Sequence, residues 1–226
     1  GYMLAKKYSL KSILDLHENF AAALLTWFSW RKNPLIRLKN RVFFSYNRWQ
    51  NYENSIVKKF DKVIAVVEEM EERILKDTSL QKNDVVVITN SEKKEFASHF
   101  FSDNSFFFEK YGNRFVISYV GGFGPHRGLQ TAIEGMQEVV KEIPNALLAL
   151  IGPSNKDVRG YLENLIVKNN LQDNVLILGS QPFTKVVQIM KSSDVNIIPH
   201  VSNLHTESTI PHKLYQILLS NIVYLG

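Results

Sequence analysis

The sequence GGFGPHRGL at residues 121–129 has the composition of a loop that binds an anion. It lies between an apolar run, FVISYV, and a helical pattern, TAIEGMQEVVKEI, where a buried strand passes into a helix. Gly121, Gly122 and Gly124 let the backbone approach a ligand closely, and the start of the helix offers free amide groups. Arg127 adds a planar guanidinium that matches phosphate oxygens. We therefore predict a phosphate-binding turn; the alternative is a turn that only connects two elements.

This turn matches neither of two common phosphate-binding fingerprints. The pattern G-x-x-x-x-G-K-[ST] is absent, and in the dinucleotide pattern G-x-G-x-x-G the third glycine comes one residue late, at Gly128. The turn by itself therefore does not identify a ligand.

Other residues with useful chemistry follow other strand-like runs. His17 comes after ILDL, Gly152 comes after ALLALI, and the segment 200–205 comes after VNII. Ligands of open α/β sheets bind at the carboxyl ends of the strands, so these residues are expected at one edge of a sheet if the strands are parallel. For each residue taken alone, the alternative is a loop side chain that hydrogen-bonds locally.

The elements that must position these residues alternate between strands and helices. Strands are predicted at SLKSILDLHEN, FDKVIAVV, DVVVITN, FVISYV, ALLALIG, NVLILG, VNIIPH and IVYLG. Helices are predicted over about residues 35–59, after a break at Asn33-Pro34, and at EEMEERILKD, TAIEGMQEVVKEI, DVRGYLENLIVKNN, FTKVVQIMKSSD and IPHKLYQILLS. This alternation predicts an α/β fold with parallel sheets covered on both faces. Residues 91–114 have no clear period and indicate a linker between two halves.

The composition is that of an ordinary globular protein. Of the 226 residues, 45% are hydrophobic and 22% are charged, which argues against disorder. The absence of cysteine excludes disulfides and thiolate metal sites and fits a reducing compartment such as the cytoplasm. No apolar run approaches the ~20 residues that span a bilayer, and the first residues lack the pattern of a signal peptide. His200, His205 and His212 are too loosely spaced to predict a metal site.

Basic residues are concentrated in the segment 27–49, within a stretch that has no acid between Glu18 and Glu53. Its cations are Arg31, Lys32, Arg37, Lys39, Arg41 and Arg48, interleaved with Trp27, Phe28, Trp30, Phe43, Phe44, Tyr46 and Trp49. Basic and aromatic residues together suit an anionic membrane surface. The main alternative is a solvated basic helix face whose aromatic residues pack inward. Nucleic acid is the least favoured partner, because no recognised binding motif accompanies the charge.

Several motifs together resemble a known family. In order and spacing, YVGGFGPHRGLQTAIEGM, LLALIGPS, NVLILGSQPFTKVVQIMKSSDVNIIPH and STIPHKLYQILLSN resemble the C-terminal half of the family 4 glycosyltransferases, which have the GT-B fold. DLHEN and YENSIVKKFDKVIAVVEEMEERI, followed by VVVITN, look like the later part of its N-terminal half. The resemblance implies two Rossmann-like domains, both incomplete here. Residues 1–95 would be acceptor-side, residues 96–112 a linker, and residues 113–226 would bind a nucleotide-sugar donor.

The resemblance also implies an activity and a setting. It implies retaining transfer of a sugar, such as a hexose, to a carbohydrate or lipid-linked acceptor, without a metal or other cofactor. Members of this type commonly build bacterial surface polysaccharide or lipopolysaccharide. We therefore expect a cytoplasmic protein, peripheral at the inner membrane.

The family's functional positions map onto this sequence with departures. One of its two diphosphate-binding basic residues matches Arg127, while the other falls on Gly122. The diphosphate is therefore expected to be bound by Arg127, Lys213 and backbone amides. His17 resembles the histidine near the acceptor. The expected donor contacts are Gly121, Gly122, Gly124, Gly152, Glu207, Ser208, Thr209 and Gln216.

Two departures keep alternatives open. The family's two glutamates fall on Ser208 and Gln216, although Glu207 is adjacent and a glutamine can still accept a hydrogen bond from a ribose hydroxyl. The family's first glycine-rich loop and its last helices have no counterpart here, so we interpret the sequence as an internal piece of a longer chain. One alternative is therefore a non-catalytic nucleotide-sugar-binding module of the same fold, inactive by itself. A sugar-phosphate isomerase or epimerase is disfavoured because the acidic catalytic residues of UDP-sugar 2-epimerases are not recognisable.

Overall fold

The computed structural model forms two compact units, each with one parallel sheet. It describes residues 1–28, 33–93, 96, 106–220 and 223–225. The first unit comprises Gly1–Asn90 with Ser202–Ile210, and the second comprises Ser91–Val201 with Pro211–Gly226. The predicted α/β class with two parallel sheets is confirmed.

In the first unit, three short parallel strands lie in the order β1-β2-β3. The strands are β1 Ile13–Leu16, β2 Lys62–Ala65 and β3 Val85–Val87. The helices are α1 Tyr2–Lys7, α2 Phe20–Phe28, α3 Pro34–Phe43, α4 Tyr46–Val57 and α5 Glu68–Asp77, with a short 3-10 turn at Lys82–Asp84. Val63 pairs with both Leu14 and Val85 across the sheet, and Met70 and Ile74 of α5 are buried in the same core cluster. Burial of these aliphatic side chains is the main stabilising contribution to this unit.

The single helix predicted over residues 35–59 is wrong at its centre, because the chain forms α3 and α4 instead. The Asn33 side chain accepts a hydrogen bond from the amide of Leu35 at 2.9 Å and so caps α3. The Ser45 side chain caps α4 by accepting from the amide of Arg48. A serine at the N-cap satisfies an amide that lacks a helical partner, which favours a new helix over continuation of the first.

The second unit contains five parallel strands in the order β6-β5-β4-β7-β8. They are β4 Phe115–Val120, β5 Ala146–Ile151, β6 Val175–Gly179, β7 Val195–Ile197 and β8 Val223–Leu225. The helices are α6 Phe106–Tyr111, α7 Leu129–Glu142, α8 Lys156–Lys168, α9 Phe183–Lys191 and α10 Lys213–Leu219, and a 3-10 turn spans Pro125–Arg127. All six residues of β5 are buried, as expected for a strand with neighbours on both sides and packing on both faces. Leu129, Ile133 and Met136 form the buried stripe of α7.

The predicted linker at residues 96–112 does not coincide with the division between the units. The division falls after Asn90, and Phe96 is buried in a core cluster of the second unit. The later part of the linker contains α6, whose Phe107 is buried against β4 and β5. The segment predicted as a linker therefore contributes residues to the core, because two buried sheet strands need an apolar cover. Residues 97–105 of the linker lie outside the described residues.

Candidate functional site

The glycine turn lies where the strand order of the second sheet reverses. From β4 the chain proceeds outward to β5 and β6 on one side, and then crosses to β7 and β8 on the other. In open parallel sheets, ligands bind at such a switch point, outside the carboxyl ends of the strands. Residues 121–128 follow β4, and Pro199 and His200 follow β7, so both loops reach this position.

Backbone contacts bring the loops after β4, β5 and β6 together. The amide of Gly121 donates to the carbonyl oxygen of Ile151 at 2.8 Å, and the amide of Gly152 donates to that of Gly179 at 2.9 Å. A Cβ built on Gly152 would overlap the carbonyl oxygen of Gly121, and the φ of Gly152 is +146°. Glycine at 152 is therefore required by this close approach.

Lys213, the first residue of α10, reaches the turn from the far end of the chain. Its ammonium lies 3.4 Å from the hydroxyl of Tyr119 and 4.8 Å from the centre of that ring. The Tyr119 hydroxyl in turn donates to the carbonyl oxygen of Gly122 at 2.9 Å. Burial, together with the charge of Arg127, lowers the pKa of Lys213 to about 7, and burial raises the pKa of Tyr119 to about 12.

Arg127 ends the 3-10 turn that precedes α7 and contacts His200 from the loop after β7. Its Nη1 lies 2.9 Å from His200 Nε2. A guanidinium can only donate, so Nε2 of His200 accepts and the neutral ring carries its proton on Nδ1. In the part of the chain that the structure describes, neither Arg127 nor Lys213 forms an ion pair with a carboxylate. Two basic side chains that have no carboxylate partner among the described residues therefore lie beside the glycine turn.

Gly122 and Gly124 complete the turn. A Cβ on Gly122 would meet no atom within 4 Å, so this residue adjoins open space. Gly124 precedes the 3-10 turn, where a Cβ would lie 3.0 Å from the ring of His126. The turn thus leaves room for a ligand at Gly122 and is tightly packed at Gly124.

A cavity of about 230 Å³ lies next to this turn, at the ends of β5 and β6. Its lining residues are Gly152, Pro153, Ser154, Asn155, Lys156, Arg159, Gly179 and Ser180. The amide of Phe123 in the glycine turn donates to the carbonyl oxygen of Pro153 at 3.0 Å, which connects the turn to the cavity wall. Lys156 and Arg159 are the basic lining residues, and Nε of Arg159 donates to a carboxylate oxygen of Glu163 at 2.7 Å.

Gln216 of α10 is already hydrogen-bonded within the second unit. Its Nε2 donates to a carboxylate oxygen of Glu92 at 2.7 Å, and the ring of His212 lies 3.7 Å from the same oxygen. Burial acts to raise the pKa of Glu92, but hydrogen bonds from Gln216 and the Lys93 amide and the nearby His212 lower it overall. The sequence position of Gln216 thus lacks a carboxylate, while the structure places one beside it.

Glu207, Ser208 and Thr209 lie in the segment 202–210, which belongs to the first unit. Glu207 accepts a hydrogen bond from the Ser202 hydroxyl at 2.5 Å. The hydroxyls of Ser208 and Thr209 donate to carbonyl oxygens within the same segment, those of Leu204 and His205. Their hydroxyl protons therefore stabilise this loop.

The segment 202–210 is held to the first unit by two contacts. Ile210 packs against the core cluster around β2, and the buried ring of His205 lies 3.1 Å from a carboxylate oxygen of Glu18. His17, the neighbour of Glu18, follows β1 as predicted and is largely exposed, with Nε2 3.3 Å from the carboxylate of Asp15. The predicted residues thus form two groups. Arg127, Lys213, Gln216 and the four glycines belong to the second unit, and His17 and residues 207–209 belong to the first.

Sequence reasoning missed three residues of the second unit. Tyr119 positions Lys213, Glu92 accepts from Gln216, and Asn155 caps α8 at the cavity by accepting from the Val158 amide at 2.8 Å. The signal available for Tyr119 was a phenol in an otherwise apolar strand end, and for Asn155 a good N-cap residue before a helical pattern. Among the described residues, no three His, Asp or Glu side chains converge to hold a metal ion.

Residues 100–211 match the family of glycosyl transferases, group 1. The matched range contains the glycine turn, Arg127 and His200 and ends two residues before Lys213. Among curated proteins, none matches the sequence.

Solved structures similar to this chain are GT-B glycosyltransferases, and they show that the chain has the GT-B fold. Sucrose-phosphate synthase from Thermosynechococcus elongatus is 15% identical with a TM-score of 0.74, covering 99% of this chain and 52% of that one. HepE from Anabaena in complex with UDP-glucose is 15% identical with a TM-score of 0.72, covering 99% and 55%. WaaG, a glycosyltransferase involved in lipopolysaccharide biosynthesis, is 15% identical with a TM-score of 0.69, covering 94% and 55%. The chain therefore spans about half the length of these proteins.

Proposed function

We propose that this chain is part of a glycosyltransferase and that its second unit binds the nucleotide-sugar donor. The observation that carries the proposal is the convergence of Arg127 and Lys213, neither paired with a described carboxylate, on the glycine turn at the switch point. Two neighbouring cations repel each other, so a diphosphate between them would relieve an unfavourable interaction. The family match over residues 100–211 and the fold of the similar structures support the same function.

The turn would stabilise the leaving group of the reaction. Sugar transfer breaks the bond between the anomeric carbon and the diphosphate oxygen, and a new bond forms from that carbon to an acceptor oxygen, which loses its proton. Negative charge develops on the diphosphate as its bond breaks. Arg127, Lys213 and the amide of Gly122 would stabilise that charge, so little reorganisation would be needed.

The cavity beside the turn would hold the nucleoside. Its volume of about 230 Å³ and its polar lining suit a base and part of a ribose, with Gly152 and Gly179 allowing close backbone approach. Gln216 would contact ribose hydroxyls through its amide oxygen, while its amide nitrogen stays hydrogen-bonded to Glu92. The pair would then supply the acceptor groups that the family pattern assigns to glutamate.

The remaining assignments follow from the resemblance to family 4. Glu207, Ser208 and Thr209 would hold the donor sugar, and His17 would lie near the acceptor. The transfer would retain the anomeric configuration, with a hexose as the sugar and a carbohydrate or a lipid-linked glycan as the acceptor. We place the reaction in bacterial surface polysaccharide or lipopolysaccharide synthesis, on the cytoplasmic side of the inner membrane.

Nucleotide binding is the first test, because the chain spans only part of its structural relatives. UDP, GDP, UDP-glucose and GDP-mannose would be added separately, and the thermal unfolding midpoint measured. A nucleotide that binds only the native state adds roughly 2.7 kcal/mol to the free energy of unfolding at a hundredfold excess over Kd. Absence of a shift with all four, at millimolar concentration, would contradict the proposal.

A non-catalytic binding module of the same fold is the second candidate. It is favoured by the two family glutamate positions, which carry Ser208 and Gln216 here. The two functions differ in turnover. A transferase that contains this chain releases free nucleoside diphosphate in proportion to added acceptor, whereas a binding module is stabilised by the nucleotide sugar and releases none.

A further inference from the structure

Helix α3 in the first unit exposes an apolar face. None of its ten residues is buried, and Leu35, Leu38 and Val42 are 75%, 62% and 53% exposed. Their spacing of three and four residues places them on one side of the helix, and the exposed side chain of Phe43 lies at its end. Scattered exposed apolar residues are ordinary, but Leu35, Leu38 and Val42 lie together on one side of a three-turn helix and form a stripe.

The same helix is basic and carries no acid. Arg37, Lys39 and Arg41 are exposed, and none of them forms an ion pair with a carboxylate in the described ranges of the chain. No acid occurs anywhere in the sequence between Glu18 and Glu53. The helix therefore combines an exposed apolar stripe with cations that have no carboxylate partner among the described residues.

The aromatic residues of the segment 27–49 divide between packing and exposure. Trp49 packs on the rings of Phe20, Phe44 and Tyr52, and its indole nitrogen donates to the carbonyl oxygen of Phe43 at 3.0 Å. Trp49 and Phe44 thus pack at the junction of α3 and α4. This agrees with the alternative given above, in which the aromatic residues of this segment pack inward. Trp30, Arg31 and Lys32 lie outside the described residues, so aliphatic side chains carry the case for insertion.

We propose that α3 docks on an anionic lipid surface. Leu35, Leu38 and Val42 would enter the interface, and Arg37, Lys39 and Arg41 would contact lipid phosphates. Charge complementarity selects this occupant. A nucleic-acid backbone offers no apolar surface against which the stripe could be buried. A helix that lies in the plane of the membrane surface does not have to be long enough to span the bilayer. Among the described helices, none is long and apolar enough to cross a bilayer. This inference uses the first unit alone and does not depend on donor binding.

The test measures cosedimentation of the whole chain with vesicles of phosphatidylglycerol and phosphatidylcholine mixed in equal parts, and with vesicles of phosphatidylcholine alone. We expect binding to the anionic vesicles, weaker binding to the neutral ones, and a decrease as salt rises. Each cation near the surface strengthens partitioning about fivefold, so the triple variant Arg37→Gln, Lys39→Gln and Arg41→Gln should bind on the order of a hundredfold more weakly.

Matched controls separate the position of the charge from its amount. Lys76→Gln, Lys110→Gln and Lys168→Gln remove the same net charge from three exposed sites on other helices and should leave most of the binding intact. For the apolar stripe, Leu35→Ser with Leu38→Ser is compared with Val167→Ser and Leu218→Ser, which change side chains exposed by 57% and 58%. Circular dichroism confirms that each variant is folded.

Three outcomes would overturn the proposal. The first is equal vesicle binding by the α3 variants and their controls, and the second is no preference for anionic lipid. The third is that the parent chain does not sediment with vesicles but forms a dimer that Leu35→Ser dissociates, which would make the stripe a contact between copies. A thermal shift with nucleotides that persists in the α3 variants shows that donor binding is a separate property.

Discussion

The ammonium group of Lys213 occupies the space that a side chain at Gly121 would need. A Cβ on Gly121 would lie 2.7 Å from Cε of Lys213 and 3.0 Å from the hydroxyl oxygen of Tyr119, and closer still to the ammonium nitrogen. The family pattern has a basic residue at the position of Gly122, and here Lys213 brings a cation to the same turn from another helix. The residue type at position 121 and the location of this cation therefore depend on each other.

This relationship predicts different effects for alanine at two glycine positions. Gly121→Ala should displace the Lys213 ammonium and weaken nucleoside diphosphate binding by about 1.5–3 kcal/mol, the usual scale for a lost hydrogen bond to a charged group. Gly135→Ala, within α7, where a Cβ would also meet no atom within 4 Å, is the matched control and should change affinity by less than about 0.5 kcal/mol. Titration calorimetry with UDP and GDP measures both. Equal affinities of the two variants would contradict the role of Lys213.

Arg127→Ala should weaken diphosphate binding by about 1.5–3 kcal/mol, because a charge-assisted hydrogen bond is lost. Arg127→Lys keeps the charge but cannot form a bidentate hydrogen bond. Its affinity for the diphosphate should therefore lie between those of the parent and the alanine variant. The measurement is a titration with UDP and with the corresponding nucleoside, uridine. The nucleoside should bind parent and variant alike, and an equal loss for both ligands would indicate a role in folding of the turn.

Lys213 should make the stability of the second unit depend on pH. Its pKa is about 7 in the folded chain and returns towards 10.5 on unfolding, so between these values the unfolded state holds more protons. The free energy of unfolding should therefore rise as pH rises from about 7 to about 10, because the folded state no longer contains a buried charge beside Arg127.

The variant Lys213→Met isolates this contribution. By urea unfolding, its free energy of unfolding should exceed that of the parent at pH 7 and should be close to that of the parent near pH 10. Between these values it should depend less on pH than that of the parent does. Lys168→Met changes an exposed lysine and should follow the parent at every pH. Parallel curves for the parent and Lys213→Met would show that Lys213 titrates normally.

The hydrogen bond between Gln216 and Glu92 predicts a specific exchange of residues. Gln216→Glu alone should be destabilising at pH 7.5, because two carboxylates would face each other across a contact of 2.7 Å. The penalty should shrink near pH 4.5, where one carboxyl is protonated. The double variant Gln216→Glu with Glu92→Gln restores a donor opposite an acceptor and should recover most of the stability. Thermal unfolding of the four proteins gives the coupling energy, and additive effects would mean that the two side chains do not interact.

The strands of the second unit and its helices α7 to α10 could be predicted because the information for them is local. FVISYV and ALLALIG give β4 at Phe115–Val120 and β5 at Ala146–Ile151, since apolar runs of six residues bounded by glycine or proline favour buried strands. The glycine turn was likewise expected where a strand meets a helix, and its binding of phosphate stays a prediction. The parallel arrangement followed from the alternation of elements, which leaves each strand to pair with one reached by a helical crossover.

Other features depended on contacts that hydrophobic periodicity does not record. Residues 202–210 were expected with the donor domain, but Ile210 packs in the core around β2, so the segment belongs to the first unit. The helix over residues 35–59 breaks where Ser45 caps a new helix and Trp49 stacks on Phe44. Periodicity could not decide this, because both halves of the segment suit a helix.

The sequence by itself determined the fold class, the order of the strands, and the presence of Arg127 in a glycine turn after a buried strand. The tertiary structure alone decided which groups face that turn. Lys213 contacts Tyr119 and Gly121, and Glu92 contacts Gln216, across long stretches of chain. Sequence patterns record which face of an element is apolar, whereas these contacts depend on how α10 packs beside β4. Packing, and the burial that lowers the pKa of Lys213, arises only when the whole unit is assembled.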